Sequence, residues 1–397
     1  MRRGRYGDGT LDERGPGTNI WRLRYRANGQ RVTQTFRGTK RDAQKELRRL
    51  IRSNDTGEHV SPDRITLGAW IERWLAAGAP GRKQRQVGRR ALERYEEMLR
   101  CHVVPALGSR PLQQLQSDEI DRLYLSLKGR LAERSIFFVH VVLGSALNAA
   151  VRKKVLATNP MTYVEKVPSP PEADHGIALD AAQLGTVTAG FKDHPLYELI
   201  VTAVRTGCRR NELLALQWAD LDAANKKLRI ERALERTRQG SALKAPKSAR
   251  STRTIDIDDA LLALLLSLRE RHLRVAASVP DGAPVDLGLI KLPEGALMFP
   301  APPQGQQDFS FTAFRHPGNI TKQFAKHAKR LGFPGLRFHD LRGSIATLLL
   351  DAGEPVHKVA SRLGHDPATL LRSYAKRTQG GDASAAAVIG NMLKGAL

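Results

Sequence analysis

Two connectors divide this chain into stretches whose hydrophobic periods differ, and that division limits the fold more than any other feature. The first, "GEHVSPDR" near residue 60, and the second, "NPMTYVEKVPSPPEADHG" near residue 170, are rich in Pro, Gly and polar residues and show no period. Before the first connector, apolar residues alternate. Between the two they recur at helical spacing, and after the second both patterns occur. At 397 residues and 41% hydrophobic, the chain is long enough for each part to bury its own core. A multidomain protein with parts at 1–60, 61–170 and 171–397 is expected.

The first part contains "NIWRLRYRANGQRVTQTFRG", two alternating runs joined at Asn28-Gly29, a strong hairpin signal. "TKRDAQKELRRLIRSN" follows at helical spacing, with Thr39 or Asp42 as cap. This predicts a small β-sheet plus one helix, with Arg22, Arg24, Arg26, Arg31 and Arg37 on the strands. A sheet laid in a DNA groove uses this composition, and so does a merely solvated face. The second part, through "TLGAWIERWLAAG", "ALERYEEMLRCHVVPALG", "SDEIDRLYLSLKG" and "SIFFVHVVLGSALNAAVRKKVL", reads as four amphipathic helices and is all α.

The third part is mixed. "HPLYELIVTAVRTGCRRNELLALQWADLD" is helical in pattern and interrupted at Thr206-Gly207. "KKLRIERAL" and "STRTIDID" are short strands around a Lys- and Arg-rich turn, "DDALLALLLSLRERHLRVAA" is a long helix, and residues 280–318 form a loop. From His339 onward one helix ends at Gly353, a second ends at Gly364, and Asp366-Pro367 starts a third.

Lys plus Arg number 64 against 40 acids, a formal charge of +24, and each of the three parts carries +8. A chain that meets phosphates along its length explains this better than a basic tail on a neutral enzyme. No apolar run approaches the ~18 residues of a membrane span, and the start, "MRRGRYGDGT", lacks the apolar region of a secretory signal. The expectation is a cytoplasmic protein without membrane partners. Cys101 and Cys208 match no zinc spacing and fit a reducing compartment.

Chemistry concentrates in "LRFHDLRGSIATLLLDAG". His339-Asp340 suggests half of a metal site, but the surrounding acids and histidines form no second ligand set. The alternative pairs His339 with Arg342, i,i+3 on one helix face, as two donors to one anion such as a phosphate. In "TGCRRNELLALQWADLD", Arg209 would start a helix with Glu212 one turn on; alone, this is as well read as an ordinary surface pair. "LKAPKSARSTRTI" offers Lys244 and Lys247 at a hairpin tip. His365 sits in the turn before the last helix, and Tyr374 about two turns into it.

Taken in order, "TGCRRNELLALQW", "PKSARSTRTI", "HDLRGS", "LGH" and "RSYAKR" closely resemble the motifs of the tyrosine recombinase family, the phage-type integrases. The resemblance implies an arm-type DNA-binding domain at 1–60, a four-helix, SAM-like core-binding domain at 61–170, and a mainly α catalytic domain with a small antiparallel sheet at 171–397. It implies Tyr374 as nucleophile, Arg209 and Arg342 as a phosphate clamp, His339 and His365 as hydrogen-bonding or proton-transfer groups, and Lys247, rather than Lys244, as general acid. Glu212 matches an acid that orients the site. No metal or other cofactor is implied. Double-stranded DNA attachment sites, a homotetramer on DNA and accessory bending or directionality proteins are implied as partners, in the nucleoid of a prokaryotic host. Asp340 then caps or supports its helix. A helix-turn-helix regulator is the rival from another class, on "VHKVASRLGHDPATLLRSYAKR". A type IB topoisomerase and a Xer-type resolvase share the chemistry, but the arm-like sheet favours an integrase.

Overall fold

The computed structural model describes residues 9–27, 30–55, 63–83, 85–169, 176–244, 252–303, 309–368 and 370–371. The chain divides into two compact units, Met1–Glu172 and Ala173–Leu397.

The first unit contains two separate hydrophobic cores. In one, β1 (Thr10–Glu13), β2 (Ile20–Ala27) and β3 (Gln30–Arg37) form an antiparallel sheet in that order, followed by α1 (Lys40–Asp55). Strand alternation sends Trp21, Leu23 and Tyr25 to one face, where they cluster with Ala43, Leu47 and Leu50 of α1. Thr39 caps α1, its Oγ1 accepting the Asp42 N–H at 3.3 Å. The hairpin tip at Asn28-Gly29 lies outside the described residues. β1 was not expected, because "TLDE" offers a single half-buried apolar residue, Leu11, and so shows no period.

The other core belongs to α2 (Leu67–Ala76), α3 (Arg89–His102), α4 (Val104–Leu107), α5 (Ser117–Leu127) and α6 (Glu133–Arg152). The stretch expected as a single second helix makes two, since Pro105 cannot donate to a continuing α3 and instead sits in the first turn of α4. The Trp70 indole donates to the Ala146 carbonyl at 2.9 Å, tying α2 to α6. By length and composition α6 could span a membrane, its mean hydropathy reaching 1.5, contrary to the expectation that no run comes near this. Its apolar side is used inside the unit instead: Ile136, Val139, Val142, Leu143, Ala146 and Leu147 are buried in this core.

The second unit runs through α7 (Ala181–Gly190), α8 (Tyr197–Thr206), α9 (Arg210–Leu213), β4 (Leu221–Asp222), β5 (Lys227–Ile230), β6 (Ala233–Thr237), β7 (Gly240–Lys244) and β8 (Arg253–Asp256). It continues with α10 (Asp259–Ala276), α11 (Pro317–Arg330), α12 (Phe338–Asp351) and α13 (Val356–Leu363). "KKLRIERAL" is not one strand. Its first half, β5, pairs between β4 and β8, burying Leu228 and Ile230, while its second half, β6, folds back on β7 as a separate hairpin. Gly240, at φ 117°, supplies the conformation the β6–β7 turn requires.

The small sheet core has little to spare. Leu23→Ala should cost about 2–5 kcal/mol and expose residues 10–55 to limited proteolysis while residues from Thr66 onward stay protected; equal protection of both regions would contradict this.

Candidate active site

α8 is ended by Gly207, whose left-handed conformation (φ 67°) closes its C-terminus. A Cβ at Gly207 would meet the Leu363 side chain at 2.4 Å, so packing as well as conformation requires glycine. The chain then reverses, and Arg209 stands at the start of α9. Its N–H donates to Glu212 Oε2 at 2.9 Å and its Nη1 to Oε1 at 2.7 Å. The Glu212 side chain is only 6% exposed, and Arg253 of β8, equally buried, donates from Nη2 to its Oε2 at 2.9 Å. Burial alone would raise the Glu212 pKa, but the hydrogen bond and charge of Arg253, and then those of Arg209, hold it below the ordinary carboxylate range.

α12 carries His339 and Arg342. Between them, Asp340 accepts the backbone N–H of Arg337 at 2.9 Å on one oxygen and the Arg337 guanidinium at 3.1 Å on the other. The expected supporting role of Asp340 is therefore seen, and His339-Asp340 does not present two ligands together. Among the described residues no three His, Cys, Asp or Glu side chains gather as a metal site.

Arg342 is 2% exposed. Its Nη1 donates to the Gly207 carbonyl at 2.7 Å, its Nη2 to Leu363 O at 2.5 Å, and its Nε to His365 Nε2 at 3.3 Å. Arg209 Nη2 donates to Gly364 O at 2.8 Å, and Arg253 Nε to Arg362 O at 2.7 Å. Three arginines from three elements thus cap successive carbonyls at the C-terminus of α13. A helix leaves these carbonyls unpaired, and its dipole makes that end attractive to cations. Gly364, at φ 63°, turns the chain there and delivers His365, whose N–H is bound to Ala360 O at 2.9 Å.

Both histidines are electron-pair donors rather than cations. Burial, then the charges of Arg342 and Arg209, pushes the His365 pKa down to about 3. Loss of hydration and the Arg342 charge also lower that of His339, although the residue as a whole is exposed. Burial presses the Arg342 pKa to about 9, and the guanidinium stays charged at neutral pH. With Arg342 Nε donating to His365 Nε2, the ring proton falls on Nδ1, which is buried without a partner.

Arg209, Glu212, His339, Arg342 and His365 are therefore brought together. Lys247 and Tyr374 lie outside the described residues. Lys244 is not at a hairpin tip but in β7, opposite Ala233, with its Nζ 2.9 Å from Glu235. In the sheet of the first unit, register places Arg22, Arg24, Arg26, Arg31 and Arg37 on one face, opposite the buried aromatics, with Arg26 directly across from Arg31. Arg24 is engaged by Asp12 at 2.9 Å. Arg253 is the residue sequence reasoning missed. It is in phase with Ile255 and Ile257, both buried, and an arginine at an inward strand position signals a buried acid.

No protein-family profile matches the chain. An integrase of Streptomyces ambofaciens is 31% identical over 200 residues, and the chain spans about half the length of that relative, 49%. A XerC-like tyrosine recombinase of Caldanaerobacter subterraneus subsp. tengcongensis is 26% identical over 357 residues, 85% of this chain and 86% of that one. The Tn1549 transposon integrase, solved with circular intermediate DNA, superposes with a TM-score of 0.63 at 18% identity, over 83% of this chain and 99% of that one. The lambda integrase, solved as a tetramer on a Holliday junction, gives 0.52 at 16% identity, over 92% and 97%.

In sequence and fold the chain is similar to tyrosine recombinases and integrases.

The fold agrees with this similarity: a helix-rich chain with small antiparallel sheets. The neutral His365 also gives the chain's stability a pH signature. An unfolded chain takes up this proton near pH ~6.5, whereas the folded site resists it down to about 3. The unfolded state binds more protons in that window, so stability falls as pH is lowered through it. The melting temperature should drop from pH 7 to pH 5, and His365→Gln should make the drop shallower; an unaltered slope would show that the imidazole is not held neutral.

Proposed function

We propose that the chain is a tyrosine-type site-specific recombinase that cleaves and rejoins DNA at attachment sites through a 3′-phosphotyrosine intermediate, integrating or excising a mobile element. The observation that carries this is the convergence of Arg209 and Arg342 with two neutral histidines at one turn, residues 363–365, shortly before Tyr374 in the sequence. Arg342 spends one N–H of each terminal nitrogen on a carbonyl and keeps the other for a phosphate oxygen. Arg209, 36% exposed at its side chain, is the more open half of the clamp.

In this reading the Tyr374 oxygen attacks the scissile phosphorus and the bond to the 5′-oxygen breaks. A tyrosine of pKa ~10 needs cationic neighbours and a base. The arginines stabilise the pentacoordinate phosphorane, and His339, neutral in the free site, accepts the phenol proton. Lys247 donates a proton to the departing 5′-oxygen; the ion pair of Lys244 with Glu235 supports that choice. A 5′-hydroxyl from another strand then reverses the step, so bond energy is kept and ATP is not needed.

Double-stranded DNA is the partner, and a tetramer is supported by the lambda integrase assembly on a Holliday junction. We assign the arginine face of the N-terminal sheet to arm-site DNA. Arg26 and Arg31 repel when directly opposed, and a phosphate between them removes that cost. Accessory bending or directionality proteins and action at the nucleoid of a prokaryotic host complete the proposal.

Tyr374→Phe should bind an attachment site with unchanged affinity and form no covalent complex on a nicked suicide substrate. Covalent labelling at any other tyrosine would overturn the mechanism, and a wild-type protein that binds the site but forms no covalent complex would favour a regulator. The segment after Gly381, "DASAAAVIGNMLKGAL", reads in sequence as a short apolar helix that would dock on a neighbouring protomer, so its deletion should disturb synapsis or the regulation of cleavage, read as altered recombination with intact DNA binding.

A further inference from the structure

We infer that Arg253 is a positioning residue for DNA cleavage, which sets the placement of Arg209 through Glu212 and that of His365 through the Arg362 carbonyl. The inference rests on the function proposed above for the same site.

Arg253 is not placed to bind a phosphate itself. Its side chain is 6% exposed and its donors point inward. Nε reaches Arg362 O at 2.7 Å, Nη2 and Nη1 reach the two Glu212 oxygens at 2.9 and 3.4 Å, and Nη2 is 3.7 Å from Cys208 Sγ. One planar fork therefore joins β8 to α9 and to the end of α13. Those elements carry, respectively, no phosphate ligand, Arg209, and the turn into His365. Their mutual placement decides whether Arg209 and His365 meet the same phosphate, and the Arg253 fork fixes it.

Charge leads to the same conclusion. The Glu212 carboxylate is faced by Arg209 from the start of α9, by Arg253 from β8, and at longer range by Arg342 of α12, His365 and the Cys208 thiol. Shared between two arginines, it leaves the pair with Arg209 net positive. Without Arg253 it would form a one-to-one pair with Arg209 and neutralise half of the clamp. Lysine could not substitute, because a point donor cannot hold a carboxylate and a carbonyl in one plane.

The test uses the full chain on a nicked suicide substrate. It compares the single-turnover rate of covalent complex formation at saturating protein with the affinity for the same DNA. Arg253→Gln should slow the covalent step about 10–100-fold, as misplacement of a reacting group by an ångström does, while the affinity stays within about twofold. Arg253→Lys should be nearly as slow. Adding Glu212→Gln to Arg253→Gln should cost less than about threefold more, because both act through one carboxylate. A covalent rate near wild type, a loss matched by an equal loss of affinity, or fully multiplicative losses in the double variant would each overturn the inference. Where Arg253→Gln fails to melt cooperatively, Arg253→Lys is judged by the same criteria. A wild-type protein that forms no covalent complex overturns the proposed function together with the inference, whereas the other failures strike the inference alone.

Discussion

The catalytic unit depends on holding like charges together in a partly dry place. Burial, then the charges of Arg209 and Arg253, counts against the charge of Arg342, and among the described residues Glu212 is the acidic side chain hydrogen-bonded to both Arg209 and Arg253. The remaining compensation comes from backbone: the carbonyls of Arg362, Leu363 and Gly364, with that of Gly207. Carbonyls at a helix end are fixed by the helix and do not reorganise when an anion arrives, which is the condition for electrostatic catalysis. The same bonds that end α13 thus hold the clamp open.

Much of this could be read from sequence because the local rules are strong there. Gly207 and Gly364 are the left-handed stops that periodicity predicted, and the Arg209–Glu212 and His339–Arg342 spacings place each pair on one helix. The alternation of Trp21, Leu23 and Tyr25 likewise announced which sheet face carries arginine. Other features were hidden because they depend on partners distant in sequence. β1 is recruited by β2 rather than by its own pattern. The break between β5 and β6 follows from β8 claiming only Lys227–Ile230. The inward phase of Arg253 was visible, but its reason, Glu212, lies 41 residues away. The apolar length of α6 was misjudged because small residues such as Ala146 and Ala149, placed for close packing, raise its hydropathy without forming an unbroken greasy run.

Histidine neutrality and arginine charge are two outcomes of one environment. Burial penalises both cations, yet the imidazoles yield their protons while the guanidiniums do not. The site therefore places positive charge and neutral imidazoles side by side, the combination on which the proposed phosphoryl transfer relies.

The sequence separation of the clamp has a further consequence. Arg209, Arg253 and Arg342 each find a partner in the short turn 362–364, which follows all three in the sequence. A polypeptide still emerging from the ribosome has the arginines but not the carbonyls that gather them. The arginine cluster is therefore assembled by the turn, and a chain synthesised only as far as Arg342 does not yet hold it.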